Sequence, residues 1–158
     1  MASSSSKKRM SFQVYVNFRG ADVRRTFLSH LQAALDQAGL FVYKDNEEQV
    51  KGEPISTFIM KPLEEAHAAI IIFSKDYASS QWCLRELVRV MELRAQKDLP
   101  VLPVFYDVTT AEVKRQTASY ERAIRSHEMR GVDLETTARW RKALFEAGNV
   151  AGWELCEQ

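Results

Sequence analysis

The sequence predicts an α/β fold: a doubly wound parallel sheet of four to five strands with helices on both faces. Two observations favour this class. Segments with the two-residue period of strands alternate along the chain with segments of helical period, and residues 68–73 (AAIIIF) are apolar throughout. A central strand covered on both faces has this continuous pattern, and repeated βα units form a parallel sheet with right-handed crossovers.

The first part of the chain supplies two strands with a helix between them. Residues 12–18 place apolar side chains on alternate positions, which predicts strand one. Asp22 is predicted to cap the next helix, and Gly39 to end it in a left-handed conformation. Its apolar face is formed by Phe27, Leu31, Ala34, Leu35 and Ala38. Residues 40–43 predict a short second strand.

A charged loop precedes the central strand. Residues 44–54 (KDNEEQVKGEP) are polar and predict an extended loop, followed by an amphipathic segment that Pro62 interrupts. After the central strand, Ser79 or Ser80 is predicted to cap a helix over residues 81–97. The predicted buried stripe of that helix is Leu84, Leu87, Val88, Met91 and Ala95.

The last part of the chain completes a flavodoxin-like order of elements. Residues 99–106 predict strand four, and because Pro100 and Pro103 lack a backbone donor, this strand should lie near an edge of the sheet or have an incomplete neighbour on one side. The sequence does not show where a fifth strand would lie. Short helices capped by Thr109 or Thr110, and by Thr117, should follow, and a final helix over residues 135–147 should end at Gly148.

Length and composition indicate one domain. The 158 residues are 46% hydrophobic and 27% charged, which is ordinary for a globular chain with a single core. We expect a solvated N-terminal tail over residues 1–11, one domain over residues 12–155 and a short C-terminal end over residues 156–158. No apolar run approaches the ~18 residues that span a membrane, so no membrane partner is expected.

Charge and cysteine content restrict the partners and the compartment. With 22 basic and 21 acidic residues, the net charge of +1 argues against nucleic acid as the principal partner. Cys83 and Cys156 form neither a disulfide framework nor a metal-binding pair, which favours a reducing compartment such as the cytoplasm or the nucleus.

The loops after the strands exclude several enzyme classes. They contain neither GxGxxG nor GxxxxGK[ST], so classical dehydrogenases and P-loop NTPases are not expected. A phosphoacceptor receiver would need acidic residues where Arg19 and Ser74 stand. The histidines His30, His67 and His127 lack metal-ligand spacing and are interpreted as surface or packing residues, so no metal site is predicted.

A carboxylate, an aromatic ring and a thiol share one side of the helix after the central strand. Trp82 and Glu86 are four residues apart, and Cys83 and Glu86 are three apart, so the three should project together near the helix start. The predicted buried stripe leaves that side free. The spacing alone fits either a pocket or a solvated glutamate beside a packing tryptophan.

Four ordered blocks of sequence connect the chain to a known family. FRGADVRRTFLSHL, FSKDYASSQWCLRELV, VLPVFYDV and a closing pattern of Trp140, Ala143, Leu144, Gly152 and Trp153 together resemble the TIR domains of plant immune receptors. The resemblance covers roughly residues 12–155. It implies a flavodoxin-like domain, present either as a TIR-only protein or as one domain of a receptor.

The resemblance also implies an activity. Such domains, once self-associated, hydrolyse NAD to nicotinamide and ADP-ribose or cyclic ADP-ribose, which act as signals in plant immunity and cell death. The glutamate of the family's SxxWCxxEL pattern falls on Glu86, which is therefore the expected catalytic residue. NAD would be the substrate, no cofactor would be needed, and the partners would be further copies of the chain or other TIR proteins.

Substrate contacts are implied for residues on both sides of Glu86. Trp82 would stack on an aromatic ring, with Cys83 beside it, while Arg19, Gly20 and Ala21 would meet diphosphate or ribose oxygens. Structural alternatives stay open: Arg19 could pair with an acid on a neighbouring loop, Gly20 could serve a tight turn, and Cys83 could simply pack.

Two further segments correspond to family features. Residues 44–54 match a lid loop, in which Lys51 and Gly52 replace an Arg-Gly pair, although lysine lacks the guanidinium fork and the loop could simply be solvated. Ser29 and His30 match a pair used for self-association. The alternatives to an NAD nucleosidase are a non-catalytic TIR scaffold and an enzyme that converts nucleic acid to cyclic nucleotides.

Overall fold

The protein is represented by a computed structural model that describes residues 12–23, 25–45 and 63–156. The predicted N-terminal tail, most of the charged loop with Lys51 and Gly52, and the segment around Pro62 lie outside the described residues. Among those that are described, no helix combines the length and apolar character required to cross a membrane.

Strands and helices alternate as the sequence predicts. The strands are Phe12–Asn17 (β1), Leu40–Asp45 (β2), Ala68–Phe73 (β3), Val101–Tyr106 (β4) and Trp153–Leu155 (β5). The helices are Arg25–Gln37 (α1), Gln81–Lys97 (α2), Thr110–Arg115 (α3), Ser119–Met129 (α4) and Leu134–Gly148 (α5), with a 3₁₀ turn at Tyr77–Ser79. All strand pairs are parallel in the order β2-β1-β3-β4-β5, which confirms the doubly wound, flavodoxin-like class.

Both faces of the sheet are covered, because successive side chains of each strand point to opposite faces. On one face Val14 and Val16 of β1 pack with Leu31 and Leu35 of α1. On the other, Tyr15 of β1 joins the larger core formed with α2, α4 and α5. β3 carries five buried residues out of six, so its position at the centre of the sheet follows from its apolar run.

The prediction that Asp22 caps α1 is not tested, because Arg24 at the start of that helix lies outside the described residues. α1 is described from Arg25, and the Asp22 side chain accepts hydrogen bonds from the loop after β3. Gly39 follows the helix with φ of 80°, which confirms the predicted left-handed stop.

The later caps are partly as predicted. Ser80 caps α2 and Thr109 caps α3, each accepting a hydrogen bond from the backbone N–H three residues on. Thr117 does not cap α4 with its side chain: Ala118, with φ of 53°, precedes the helix, and the Thr117 carbonyl accepts from the Tyr120 amide. α5 begins one residue earlier than predicted, where Asp133 supplies the cap.

The edge of the sheet explains the two prolines of strand four. β4 begins at Val101, two residues later than predicted, and its outer neighbour β5 pairs only with Val104 to Tyr106. The prediction of an incomplete neighbour is therefore confirmed. Gly152 precedes β5 where a Cβ would stand 2.1 Å from the Pro103 carbonyl oxygen, so a larger residue does not fit beside β4.

Candidate active site

Three segments meet at the carboxyl edge of the sheet: the end of β1 with its following loop, the 3₁₀ turn after β3, and the first turns of α2. Parallel strands place their carboxyl ends on the same edge, and neighbouring strands with crossovers in opposite directions leave a crevice there. β1 and β3 are such neighbours. Ser80 fixes the start of α2, because its Oγ accepts from Cys83 N at 3.1 Å.

Glu86 lies inside this junction with none of its surface exposed. The Tyr15 hydroxyl donates to Oε2 and the Asn17 side-chain amide donates to Oε1, so β1 supplies hydrogen-bond donors to both oxygens. A buried carboxylate is costly unless such donors replace its water. The arrangement therefore holds an acceptor group at a fixed place in the interior.

The prediction that the Trp82, Cys83 and Glu86 side faces away from the core is wrong. Trp82 is 4% exposed and Cys83 is 1% exposed, and both belong to the larger core. The buried side of α2 is wider than the predicted stripe: Leu84, Leu87 and Met91 are buried as predicted, Val88 is half-buried and Ala95 is exposed. Val90 and Leu93 are buried in addition. Cys83, Glu86, Val90 and Leu93 are three or four residues apart and form one buried helical row, in which Glu86 contacts β1.

Cys83 fits the packing interpretation. Its Sγ lies 3.5 Å from the Phe18 carbonyl oxygen, and the 3₁₀ turn covers it. This contact joins α2 to the end of β1. The thiol thus helps to hold the two segments that surround Glu86.

Two buried tyrosines, Tyr77 and Tyr120, lie next to this junction and hold their protons tightly. The Tyr77 hydroxyl donates to Asn17 Oδ1 and lies 3.1 Å from the Cys83 carbonyl oxygen. Burial, reinforced by the neighbouring Cys83 and Glu86, raises the pKa of the Tyr77 phenol well above its ordinary value. Burial also raises the pKa of Tyr120, whose hydroxyl donates to the Ser74 carbonyl at 2.7 Å. Both phenols therefore stay protonated and remain donors at neutral pH.

The loop after β1 carries Arg19, Gly20 and Ala21 at the rim of this site. Arg19 is partly exposed and its Nη1 lies 2.7 Å from Asp22 Oδ1. Arg19 therefore pairs with an acid, as one alternative predicted, but the acid is Asp22 of its own loop and not a residue of a neighbouring loop. Gly20 is half-buried and Ala21 is exposed, and both belong to the turn that the Asp22 amide closes on the Arg19 carbonyl.

Asp22 is the residue of this edge that the sequence analysis assigned to another role. Its Oδ2 accepts from Ser74 Oγ at 2.6 Å and from the Asp76 amide at 2.8 Å. The side chain therefore ties the loop after β1 to the loop after β3. Its place directly after strand one, on the edge where the sheet order changes direction, was the available signal.

The remaining predicted residues lie elsewhere. Ser29 and His30 are both exposed on α1. His127 is buried, with Nε2 2.8 Å from the Ala78 carbonyl oxygen and its ring against Trp140, so packing is its role. Within residues 12–23, 25–45 and 63–156, no three His, Cys, Asp or Glu side chains are grouped to hold a metal ion.

Comparisons with known proteins agree on one family. The family model of the TIR domain matches residues 11–158. The chain is 42% identical over 153 residues to the TMV resistance protein N of Nicotiana glutinosa, covering 96% of this chain and 13% of that protein. It is 39% identical over 163 residues to the disease resistance protein RPV1 of Vitis rotundifolia, covering 99% of this chain and 11% of that protein.

A solved structure shows the same architecture. The TIR domains of the activated Roq1 resistosome, described as directly recognizing the pathogen effector XopQ, align with a TM-score of 0.80 at 40% identity. The alignment covers 92% of this chain and 88% of that one. Because family model, relatives and solved structure all match nearly the whole chain, the protein belongs to the TIR domain family, in the form found in plant disease resistance proteins.

Proposed function

We propose that this TIR domain, when self-associated, cleaves the nicotinamide–ribose bond of NAD with Glu86 as the catalytic residue. The products would be nicotinamide and ADP-ribose or cyclic ADP-ribose, acting as signals in immunity and cell death. The observation that supports this best is the Glu86 carboxylate, held by Tyr15 and Asn17 at the carboxyl edge of a doubly wound sheet.

The reaction requires an anion near the ribose but no general acid for the leaving group. Nicotinamide is bound to ribose as a cationic pyridinium and departs neutral, so the leaving group needs no proton, unlike the alcohol in ordinary glycoside cleavage. Positive charge then develops on the ribose, and the anomeric carbon forms its new bond to a water molecule, which gives up a proton, or to an adenine nitrogen in the cyclic product. A fixed carboxylate nearby stabilises that charge more in the transition state than in the substrate, and the effect is larger where water is excluded.

Access to Glu86 is the step that would require assembly. The carboxylate is fully buried in the single chain, so substrate contact needs the β1 loop and α2 to separate or rearrange. A related TIR domain was solved in an activated resistosome, which supports self-association as the event that opens the site. The exposed pair Ser29 and His30 on α1 is the proposed contact surface. Arg19 would turn from Asp22 toward the diphosphate of NAD.

A non-catalytic scaffold is the second candidate, and one observation favours it. Glu86, Trp82 and Cys83 are all in the core, where a carboxylate bonded to Tyr15 and Asn17 could serve only to satisfy their donors. In this alternative the surface of the domain would recruit further TIR domains, and Glu86 would contribute to folding alone.

Nicotinamide release from NAD separates the two candidates. Purified protein at high concentration should release nicotinamide, and Glu86→Gln should lower the rate by about 100-fold or more, because it removes the charge with little change of shape. The rate per protomer should fall on dilution. Glu121→Gln, on the exposed side of α4, is the matched control and should keep the wild-type rate.

The folded state of each variant is checked by circular dichroism and thermal unfolding. If folded wild type releases nicotinamide no faster than Glu86→Gln, the scaffold is the function. If the wild-type rate per protomer does not change with dilution, the requirement for self-association is wrong.

A further inference from the structure

A chain of buried hydrogen bonds leads from the 3₁₀ turn to the carboxylate. The Tyr77 hydroxyl contacts Asn17 Oδ1, and Asn17 Nδ2 contacts Glu86 Oε1. Tyr77, Asn17 and Glu86 each have none of their surface exposed. Bulk water therefore does not set the orientation of these groups in the closed chain, and each must be oriented by its protein neighbours.

The Asn17 amide has two different ends, and only one of them suits an anion. Its NH₂ group donates, whereas its carbonyl oxygen accepts and would repel a carboxylate. Orientation of the amide is therefore coupled to the proton on Glu86. With Glu86 ionised, NH₂ must face the carboxylate and the amide oxygen must find a donor on its other side.

Tyr77 is that donor. A phenol carries one proton, and burial raises the pKa of Tyr77, so the proton is retained at neutral pH. The Cys83 carbonyl, 3.1 Å from the hydroxyl oxygen, is the alternative acceptor. If Glu86 were protonated and the amide reversed, Tyr77 could accept from Asn17 and donate to Cys83 instead.

We infer that Tyr77 and Asn17 are positioning residues for Glu86: the Tyr77 hydroxyl keeps the Asn17 amide turned with its NH₂ group toward the carboxylate, and this favours the ionised form of Glu86 inside a dry site. The catalytic meaning of this inference rests on the proposed function. Its structural part, the coupling of three side chains from β1, the 3₁₀ turn and α2, can be measured without turnover.

Other titratable groups around the chain come from several elements. Those in contact with it or in electrostatic interaction with Tyr77 are Tyr15 from β1, Cys83 from α2 and Tyr120 from α4. Tyr120 in turn interacts with Asp22 from the loop after β1, Glu112 from α3 and Asp76 from the loop after β3. Asp22, Glu112 and Asp76 are outside the chain of bonds, and the variants below leave all three in place.

The test compares two buried tyrosines. Tyr77→Phe removes the hydroxyl that orients Asn17, whereas Tyr120→Phe removes an equally buried hydroxyl that donates to the Ser74 carbonyl. The pH at which Glu86 takes up a proton is followed by ¹³C NMR of the side-chain carboxyl, assigned by its loss in Glu86→Gln. Nicotinamide release is recorded over the same pH range.

Tyr77→Phe should raise the Glu86 titration midpoint by about half to one pH unit, a three- to tenfold change in proton affinity, because a bond supporting the charged form is lost. The acid limb of the rate profile should move by the same amount, with the rate recovering at higher pH. Tyr120→Phe should leave both midpoints in place. Equal midpoints in Tyr77→Phe and Tyr120→Phe would overturn the inference.

A wild-type measurement covers the case in which Tyr77→Phe does not fold. The Asn17 side-chain ¹⁵N resonance should titrate with the same midpoint as the Glu86 carboxyl, since the amide reports which form of Glu86 it faces. Different midpoints would contradict the coupling. If the two midpoints agree but NAD is not cleaved, the proposed function is wrong and the positioning of Glu86 by Tyr77 and Asn17 stands. If NAD is cleaved but the midpoints differ, the positioning is wrong and the proposed function stands.

Discussion

Asp22 is a single side chain that connects two loops at the candidate site. One oxygen pairs with Arg19 and the other accepts from Ser74 Oγ and the Asp76 amide. The local sequence pattern, an aspartate shortly before a helix, predicts a cap, whereas the actual donors of the second oxygen are 52 and 54 residues away. A local sequence pattern cannot show partners so far along the chain, so this role of Asp22 could be identified only from the folded structure.

Asp22→Ala should lower the free energy of unfolding by about 1–3 kcal/mol, because a mostly buried charged acceptor and its hydrogen bonds are lost together. Urea unfolding measures the change. Asp36→Ala is the control, since Asp36 is exposed on α1 and accepts from Gln32 at 2.9 Å, and it should change stability by less than about 0.5 kcal/mol. Equal effects of the two substitutions would mean that Asp22 does not join the loops energetically.

Glu86 shows the opposite relation between sequence and structure. Its helical position and its neighbours Trp82 and Cys83 are visible in the sequence, but its burial depends on Tyr15 and Asn17, about 70 residues earlier. In the sequence Tyr15 and Asn17 only alternate with the apolar positions of strand one. The position of Glu86 on the helix after the central strand was predictable from the sequence, whereas its complete burial was not.

At the scale of elements, β5 is the segment that the sequence could not locate. Three residues are too few to show a two-residue period, whereas β1 and β3 have six each. Its place depends on specific contacts instead. The Asp107 amide donates to the Leu155 carbonyl at 2.8 Å, and Glu154 Oε2 accepts from the amide and hydroxyl of Thr110 at the start of α3.

Gly152→Ala should displace β5, because the added Cβ would stand 2.1 Å from the Pro103 carbonyl oxygen, which is backbone and has little room to move. We expect a loss of about 1–3 kcal/mol in unfolding free energy and faster hydrogen exchange of the Asp107 amide. Ala151→Ser adds one atom at an exposed neighbouring position and serves as the control. Unchanged exchange at Asp107 in Gly152→Ala would show that the strand tolerates the methyl group.

For the whole molecule, three carboxylates make stability depend on acid pH. A hydrogen bond from Arg89 lowers the pKa of Glu64, the Thr136 amide lowers the pKa of Asp133, and the Thr110 amide lowers the pKa of Glu154. Since each binds its proton less tightly in the folded chain, the stabilisation is complete above the unfolded pKa. It is lost as the pH falls through the folded pKa.

The free energy of unfolding should therefore begin to fall below about pH 4.5, the ordinary pKa of a glutamate. Urea unfolding at a series of pH values measures it. Glu64→Gln should reduce the slope in this range, while Glu146→Gln, exposed on α5, should keep the wild-type slope. Identical slopes in the two variants would contradict a contribution from the Arg89 bond to Glu64.

The fold as a whole was predictable because its signals are repeated along the chain. Four strands, their order of alternation with helices and the caps Ser80 and Thr109 follow from periods and local hydrogen bonds. The full width of the buried side of α2 did not follow from them, because Cys83 and Glu86 are buried there together with apolar residues. A carboxylate enters such a row only when donors from distant strands meet it, which a helical pattern does not reveal.

The two cysteines of this domain differ in exposure, and this difference allows the opening of the site around Glu86 to be measured. Cys156 is exposed, whereas Cys83 is buried one helical turn from Glu86, with its thiol against the end of β1. A thiol reagent reaches Cys156 directly and reaches Cys83 only when that junction parts. The labelling rate of Cys83 in a chain with Cys156→Ser therefore reports how readily the junction around the Glu86 carboxylate opens. If NAD enters by the same route, the protein concentrations that raise nicotinamide release should also raise this labelling rate.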